Sequence, residues 1–107
     1  MNAERIAHNE AVFRRANDRI AEAIAGQERP ADDQLPFLCE CPQVGCTEIL
    51  RLTFPAYQRV RADRRLFVCA PGHVASADAT ERVVEEGPGY VVVEKHGSMG
   101  ELAERLP

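Results

Sequence analysis

Four cysteines and one histidine, grouped in two short clusters, constrain this chain more than any other feature of its sequence. Three of the cysteines lie within eight residues, and the fourth lies four residues before the histidine; these residues are Cys39, Cys41, Cys46, Cys69 and His73. Zinc in structural sites takes four ligands in a tetrahedron, and cysteine thiolates and histidine imidazoles are the usual ones. The sequence therefore predicts a metal site that joins two separate segments of the chain.

The spacing indicates which four residues bind the metal. Cys39 and Cys41 are one residue apart, so both would point to the same face of a strand. Cys46 would return to them after a turn over residues 42–45, which contains a proline and a glycine. We expect His73 as the fourth ligand, because the Pro-Gly turn before it would fix the direction of its ring.

Cys69 competes with His73 for the fourth position. It follows the apolar run at residues 66–68, and the end of such a strand equally suits a buried cysteine that binds no metal. Both assignments stay open on spacing alone.

Three other uses of the thiols compete with structural zinc. Four cysteines in a reducing compartment are able to hold an iron–sulfur cluster. A thiol switch is also compatible with the spacing, in which an oxidant attacks Cys39 or Cys41 and the other thiol resolves it. A catalytic zinc would need an open coordination position and a nearby carboxylate, but strand alternation turns Glu40 away from the metal face. The histidine and the tight loop favour Zn²⁺ in a structural role, and we expect no enzymatic activity.

Charge and hydropathy argue against two classes of protein. A net charge of −4 opposes nonspecific nucleic-acid binding, which needs a positive surface to displace counterions from phosphates. No apolar run approaches the roughly 20 residues of a membrane span, and the charged first residues do not have the pattern of a signal peptide. We therefore expect a cytoplasmic protein, in which reduced cysteines serve as metal ligands rather than as disulfides.

The chain is predicted to have three parts. Residues 1–26 form an amphipathic helix, because apolar residues recur at spacings of three, four and seven, and Gly26 would end the helix in a left-handed turn. Residues 27–36 are polar and acidic with two prolines, which indicates a linker. Residues 37–107 form the zinc-binding domain.

Within this domain, short apolar and β-branched runs alternate with turn residues. They predict strands at 37–41, 46–53, 66–69, 81–86 and 90–95, the last as the central strand of the sheet, and helices at 54–63 and 99–106. The predicted fold class is therefore α+β, with an N-terminal amphipathic helix arm and a small zinc-stapled β-sheet on which one or two helices pack.

Two surfaces are candidates for docking a partner. Arginines concentrate around the second predicted helix, at Arg59, Arg61, Arg64 and Arg65. The N-terminal helix carries an apolar stripe that includes Phe13 and Ile20. Each surface has a plainer interpretation: the arginines as a solvated face, and the helix as an element that packs on its own domain. For the arginines, the sharper interpretation is docking of an unidentified acidic protein or of a nucleic-acid backbone. For the helix, it is docking of a partner or pairing with a second copy to form a homodimer.

We therefore predict a small non-enzymatic zinc-binding module that acts as a regulatory protein–protein interaction domain. The alternative is a thiol-based redox or metal sensor that uses the same cysteines. A structural site should hold its zinc during mild oxidation, whereas a sensor should release it.

The order of several motifs along the chain resembles a group of short actinobacterial proteins, most of which have no assigned activity. The motifs lie at residues 13–20, 36–41 with Cys46, 57–61, 71–73 and 91–95. The Cys-Glu-Cys and Pro-Gly-His pieces are the most specific parts of the likeness. The resemblance implies that the three clustered cysteines and His73 are shared, whereas the position of Cys69 is often aliphatic in the group. It therefore implies that Cys69 is an additional thiol rather than a ligand, and it implies no activity.

Overall fold

The described residues of the computed structural model, 3–41, 46–73 and 81–105, contain three helices and five strands. In chain order they are α1 Ala3–Ala25, β1 Leu35–Leu38, β2 Ile49–Leu52, α2 Phe54–Arg61, β3 Leu66–Cys69, β4 Glu81–Gly87, β5 Tyr90–Lys95 and α3 Gly97–Arg105. The α+β fold class is confirmed. The turn predicted at residues 42–45 lies outside the described residues. No helix in the described ranges is both long enough and apolar enough to cross a lipid bilayer.

The strands form two small antiparallel sheets. Strand β1 pairs with β2, from Leu35 opposite Leu52 to Leu38 opposite Ile49. The second sheet has the order β3-β5-β4, so β5 is the central strand, as predicted. The three valines at residues 91–93 of β5 are buried. Since successive residues of a strand point to opposite faces, both faces of β5 are covered.

One hydrophobic core includes residues of both sheets and of α2. The rings of Phe37 on β1 and Tyr57 on α2 stack with their centroids 4.3 Å apart. Further members of this core are Leu35, Leu50, Leu52, Val60 and Phe67. Helix α2 begins after Thr53, whose side-chain oxygen accepts a hydrogen bond of 3.2 Å from the amide of Ala56, as expected of an N-cap residue. Tyr57 thereby faces the interior.

Strand β1 is shifted relative to its prediction. It begins at Leu35, so the last two residues of the predicted linker pair with β2. It ends at Leu38, whereas the prediction extended it to residue 41. Strand β2 is shorter than predicted and begins at Ile49. Gly26, which was expected in a left-handed turn, does not have a positive φ.

Residues 39–41, named the Cys-Glu-Cys strip below, leave one sheet and reach the other. The amide of Cys39 donates a hydrogen bond of 3.1 Å to the carbonyl of Glu48, which precedes β2. The amide of Glu40 instead donates a hydrogen bond of 2.7 Å to the carbonyl of Val68 on β3. This change of partner explains why β1 ends early, and it makes the strip a connection between the two sheets.

Helix α1 packs on the rest of the described chain through a polar face. Glu10, Arg14 and Asn17 are fully buried, whereas Phe13 and Ile20 are only half-buried. At 3.6 residues per turn, the buried face lies about 70° around the helix from the predicted apolar stripe. Helix α1 therefore contacts its own domain with buried charged and amide side chains and also with apolar ones, since Ala11 is buried and Ile20, Ala21 and Ile24 pack against the hydrophobic core.

Candidate metal centre

Four predicted ligands come together at one place in the structure. Cys39, Cys41, Cys46 and His73 each offer one ligand atom, and these four atoms lie within 4.8 Å of one another. The Nδ1 atom of His73 is 3.8 Å from the sulfur of Cys39 and 3.6 Å from that of Cys46. None of the four cysteines, all of which are among the described residues, forms a disulfide bond. The four-residue group could bind a metal ion.

Two sulfur–nitrogen distances within this group agree with tetrahedral zinc coordination. Zn–S bonds of about 2.3 Å and Zn–N bonds of about 2.0–2.1 Å, at tetrahedral angles, place sulfur and nitrogen about 3.6 Å apart. The two sulfur–nitrogen distances in the structure are 3.6 and 3.8 Å. Three thiolates and one imidazole are also a ligand set of structural zinc sites. The residues present therefore fit a zinc ion bound through Nδ1 of His73.

The Cys-Glu-Cys strip supplies the inner side of the site. The sulfurs of Cys39 and Cys41 belong to the ligand group, whereas the carboxylate of Glu40 contacts α1 on the opposite side of the strip. Both cysteines are fully buried, while Cys46 and His73 are half-buried. Cys46 and His73 therefore form the side of the site that is nearer to solvent.

A tight turn after β3 positions His73. Its amide donates a hydrogen bond of 3.0 Å to the carbonyl of Ala70, across Pro71 and Gly72. Gly72 has a φ of 85°, a left-handed conformation that glycine adopts without steric cost. Proline followed by a left-handed glycine defines a type II turn. The Pro-Gly turn predicted from the sequence is therefore present.

Cys69 lies outside the four-ligand group but contacts it. Its thiol is fully buried and hydrogen-bonds to the side chain of Cys39. That hydrogen bond, helped by one of 3.2 Å from the amide of Ala70, lowers the pKa of Cys39 to about 5 against the opposing effect of burial. The same contact, together with burial, raises the pKa of Cys69. Cys39 is thus the thiolate of the pair, which is the form that binds metals, and Cys69 keeps its proton.

Glu40 lies on the other side of the strip, fully buried among hydrogen-bond donors. Its Oε1 accepts a hydrogen bond of 3.0 Å from the amide of Val68, and its Oε2 accepts one of 2.8 Å from Nδ2 of Asn17. The guanidinium of Arg61 lies 3.6 Å from Oε1. Burial raises the pKa of Glu40, and the charge of Arg61 opposes this. The carboxylate therefore faces α1, as strand alternation predicted, and does not face the metal ligands.

Asn17 fastens α1 to this segment with three hydrogen bonds. Its Nδ2 donates to the carbonyl of Leu38 and to Oε2 of Glu40, both at 2.8 Å, and its Oδ1 accepts from the amide of Leu38 at 2.7 Å. Sequence analysis missed this residue, because polar residues of an amphipathic helix usually face solvent. The available signal was the spacing of Glu10, Arg14 and Asn17, which places them on one helical face.

A second buried cluster joins α1 to the three-stranded sheet. Lys95 on β5 forms ion pairs with Glu10 on α1 and with Glu81 on β4. Its Nζ also lies 5.2 Å from the centre of the Phe67 ring. Burial raises the pKa of Glu10 to about 8, with Lys95 opposing the shift and Glu81 reinforcing it. Two carboxyl groups thus face one ammonium, and a proton on Glu10 makes the cluster neutral.

Three of the four predicted docking arginines form ion pairs within the chain. Arg59 pairs with Glu85 at 2.9 Å on the surface, and Arg65 pairs with Glu104. Arg61 is mostly buried and pairs with carboxylates of α1 and of the strip. These three arginines therefore have ion-pair partners within the chain, and their docking to another protein stays a prediction.

The remaining docking candidates lie on or beside α1. The side chain of Arg64 is exposed, and its carbonyl accepts a hydrogen bond of 2.6 Å from Nη1 of Arg14. Phe13 and Ile20 are half-buried, whereas Val12 on the outer side of α1 is 59% exposed. Docking at this helix also stays a prediction.

No protein-family model matches the sequence, and searches of curated proteins and of solved structures return no significant match.

Proposed function

We propose that the chain is a small, non-enzymatic zinc-binding module in which Cys39, Cys41, Cys46 and His73 hold a structural Zn²⁺. The observation that carries this proposal is the convergence of three sulfurs and one imidazole nitrogen within 4.8 Å. Four protein ligands complete a zinc tetrahedron and leave no position for water or substrate. This supports a structural role over a catalytic one, and the ligand set favours zinc over an iron–sulfur cluster.

Zinc at this place would fasten three segments of the chain to one another. The Cys-Glu-Cys strip follows β1, Cys46 precedes β2, and His73 lies in the turn after β3. In a domain of this size the hydrophobic core is modest, and free energy of metal binding adds directly to folding. We infer that the metal stabilises the junction of the two sheets.

The proposal includes a regulatory role in protein–protein interaction in the cytoplasm, with an unidentified protein or a second copy of the chain as partner. The net charge of −4 favours protein over nucleic acid as the partner. The outer side of α1 supports docking through this helix, since the exposed Val12 lies there beside Arg15 and Arg19. The resemblance to short actinobacterial proteins is part of the same proposal and adds no activity to it.

Metal analysis of the purified chain tests the proposal. We expect one zinc per chain in the wild type, and loss of zinc with lowered thermal stability in Cys46→Ser and His73→Ala. The matched control is Cys69→Ser, which removes a thiol outside the ligand group and should retain one zinc. Iron with inorganic sulfide would contradict the zinc assignment, as would a folded chain that binds no metal. Light scattering of the wild type decides whether the partner is a second copy.

A second candidate function, a thiol-based redox sensor, is favoured by the contact between Cys39 and Cys69. Peroxide would oxidise the two thiols to a disulfide, with two electrons passing to the peroxide and two molecules of water as the other product. The metal would lose one ligand and leave. Zinc release at low peroxide in the wild type, but not in Cys69→Ser, would favour the sensor. Equal resistance of both proteins would favour the structural module.

A further inference from the structure

The Cys-Glu-Cys strip presents its two cysteine sulfurs to the metal site on one side and the Glu40 carboxylate to helix α1 on the other. On one side the sulfur of Cys39 faces the imidazole of His73 at 3.8 Å. On the other side Asn17 of α1 hydrogen-bonds to the backbone of Leu38 and to the carboxylate of Glu40. These are the residues directly before and directly after Cys39. Asn17 therefore holds the chain on both sides of one metal ligand.

We propose that Asn17 is a positioning residue of the metal centre, through which docking of α1 and binding of zinc stabilise each other. The inference rests on the proposed zinc site. Asn17 acts through residues 38–40 and not on the metal. Partners that orient metal ligands from outside the coordination shell typically contribute 10–100-fold to metal affinity. Because coupling between two equilibria is reciprocal, bound zinc strengthens the docking of α1 by the same factor.

The three hydrogen bonds of Asn17 differ from the other contacts of α1 in where they end. Arg14 donates to the carbonyls of Arg64 and Ala103, at 2.6 and 3.0 Å, and these lie after α2 and within α3. Asp18 accepts a hydrogen bond of 2.7 Å from the hydroxyl of Tyr57 on α2. Neither hydrogen bond ends on the strip, although Arg61 lies 3.8 Å from Asp18 and 3.6 Å from Glu40 and so links the two carboxylates indirectly. Asn17 and Glu40 therefore form the direct polar route from α1 to a ligand-bearing segment among the hydrogen bonds described above.

The coupling would give the metal site a means of regulation. Helix α1 is held in part by buried polar groups, so its docking depends on the geometry of their hydrogen-bond partners as well as on apolar contacts. Loss of zinc would free the strip and loosen the partners of Asn17. The same helix carries the proposed docking surface around Val12 on its outer side. Zinc binding would thereby affect the surface around Val12, which does not contact the metal.

Zinc affinity of the full-length chain tests the coupling, measured by competition with a chromophoric chelator. We expect Asn17→Ala to weaken zinc binding by about 10–100-fold. The matched control is Tyr57→Phe, which removes the hydrogen bond to Asp18 on the same helix and keeps the ring that stacks on Phe37. Its zinc affinity should stay close to that of the wild type, even where its stability falls.

Three results overturn the inference or its basis, and they are distinguishable. Wild-type affinity in Asn17→Ala rejects the coupling and leaves the zinc module intact. Equal weakening in Asn17→Ala and Tyr57→Phe rejects the route through the strip, because affinity then follows overall stability. A wild-type chain that does not bind one zinc rejects the proposed function itself.

A second measurement does not depend on the variants. Amide hydrogen exchange of the wild-type chain is compared with zinc bound and with zinc removed. We expect removal of zinc to speed exchange in α1 around Asn17 more than in the central strand β5. Exchange in α1 that rises no more than exchange in β5 would overturn the coupling.

Discussion

Glu40 and Val68 form two hydrogen bonds with each other, one between backbones and one through a side chain. The amide of Glu40 donates to the carbonyl of Val68 at 2.7 Å, and the amide of Val68 donates to Oε1 of Glu40 at 3.0 Å. The carboxylate thus accepts a hydrogen bond from the backbone of β3, as a carbonyl of a neighbouring strand would. Since Cys39 and Cys41 flank Glu40, this pair connects the inner metal ligands to the strand that leads to His73.

Replacement of Glu40 by alanine is expected to destabilise the fold strongly. The change removes the side-chain acceptor of the Val68 amide and one of the acceptors of Asn17 and of Arg61. Breaking a buried charged pair from one side costs about 3–5 kcal/mol. Urea unfolding of the zinc-loaded chain measures the loss. The control is Glu85→Ala, whose exposed pair with Arg59 is worth about 0–1 kcal/mol. Equal losses in the two variants would contradict the structural role given to Glu40.

The contribution of the buried cluster around Glu10 to the free energy of unfolding should fall as the pH rises from about 4.5 to about 8. Burial raises the pKa of Glu10 from 4.5 to about 8, so between these values the folded state holds a proton that the unfolded state has released. The stabilisation is fully present below about pH 4.5 and is lost as the pH passes through 8, by at most about 1.4 kcal/mol per pH unit.

The variant Glu10→Gln isolates this effect, because it keeps the shape of the side chain and removes its titration beside Lys95 and Glu81. The difference in the free energy of unfolding between wild type and variant should change across this pH range, in the direction that disfavours the wild type at high pH. Contributions from the thiols cancel in the difference. Parallel curves for the two proteins would rule out Glu10 as the titrating group.

Two glycines with open surroundings should respond differently to alanine. A Cβ atom would contact nothing within 4 Å at either Gly72 or Gly26, but only Gly72 of the two has a positive φ, of 85°. Left-handed backbone costs a residue with a Cβ roughly 1–2 kcal/mol. We expect Gly72→Ala to lose about that much stability and to weaken zinc binding, because the turn positions His73. Gly26→Ala should be neutral or slightly stabilising, and a comparable loss in both would contradict the type II turn.

Cys69 should prove to be a supporting thiol and not a ligand. Cys69→Ala removes the hydrogen bond to Cys39 but none of the four ligand atoms, so we expect one zinc per chain with an affinity lowered by about tenfold. Loss of zinc binding as complete as in Cys46→Ser would place Cys69 in the coordination shell. Isothermal titration of zinc into both variants measures the stoichiometry and the affinity together.

Local sequence patterns predicted the elements whose structure depends on neighbours along the chain. Strand β3 and strand β5 have the predicted limits, because apolar and β-branched runs bounded by turn residues define them. The Pro-Gly turn before His73 follows from the conformations that these two residues prefer. The α+β class and the convergence of three nearby cysteines depend on the same short-range information.

The buried face of α1 could not be predicted in this way, because its partners are distant in sequence. Arg14 is satisfied by carbonyls 50 and 89 residues further along the chain. Glu10 is buried because Lys95 lies opposite it. Without knowledge of these partners, charged residues at helical spacing indicate a solvated face, and Phe13 and Ile20 indicate the buried one. The early end of β1 has a similar origin, because the amide of Glu40 hydrogen-bonds to the carbonyl of Val68 on β3. Val68 is distant from Glu40 in sequence.

Native mass spectrometry of the wild-type chain, with Cys46→Ser and His73→Ala beside it, tests the central claim most directly. The account predicts a mass increase of one zinc ion in the wild type, absent from both variants and accompanied in them by lower thermal stability. A wild-type chain that folds without any metal and has four thiols open to titration would contradict it.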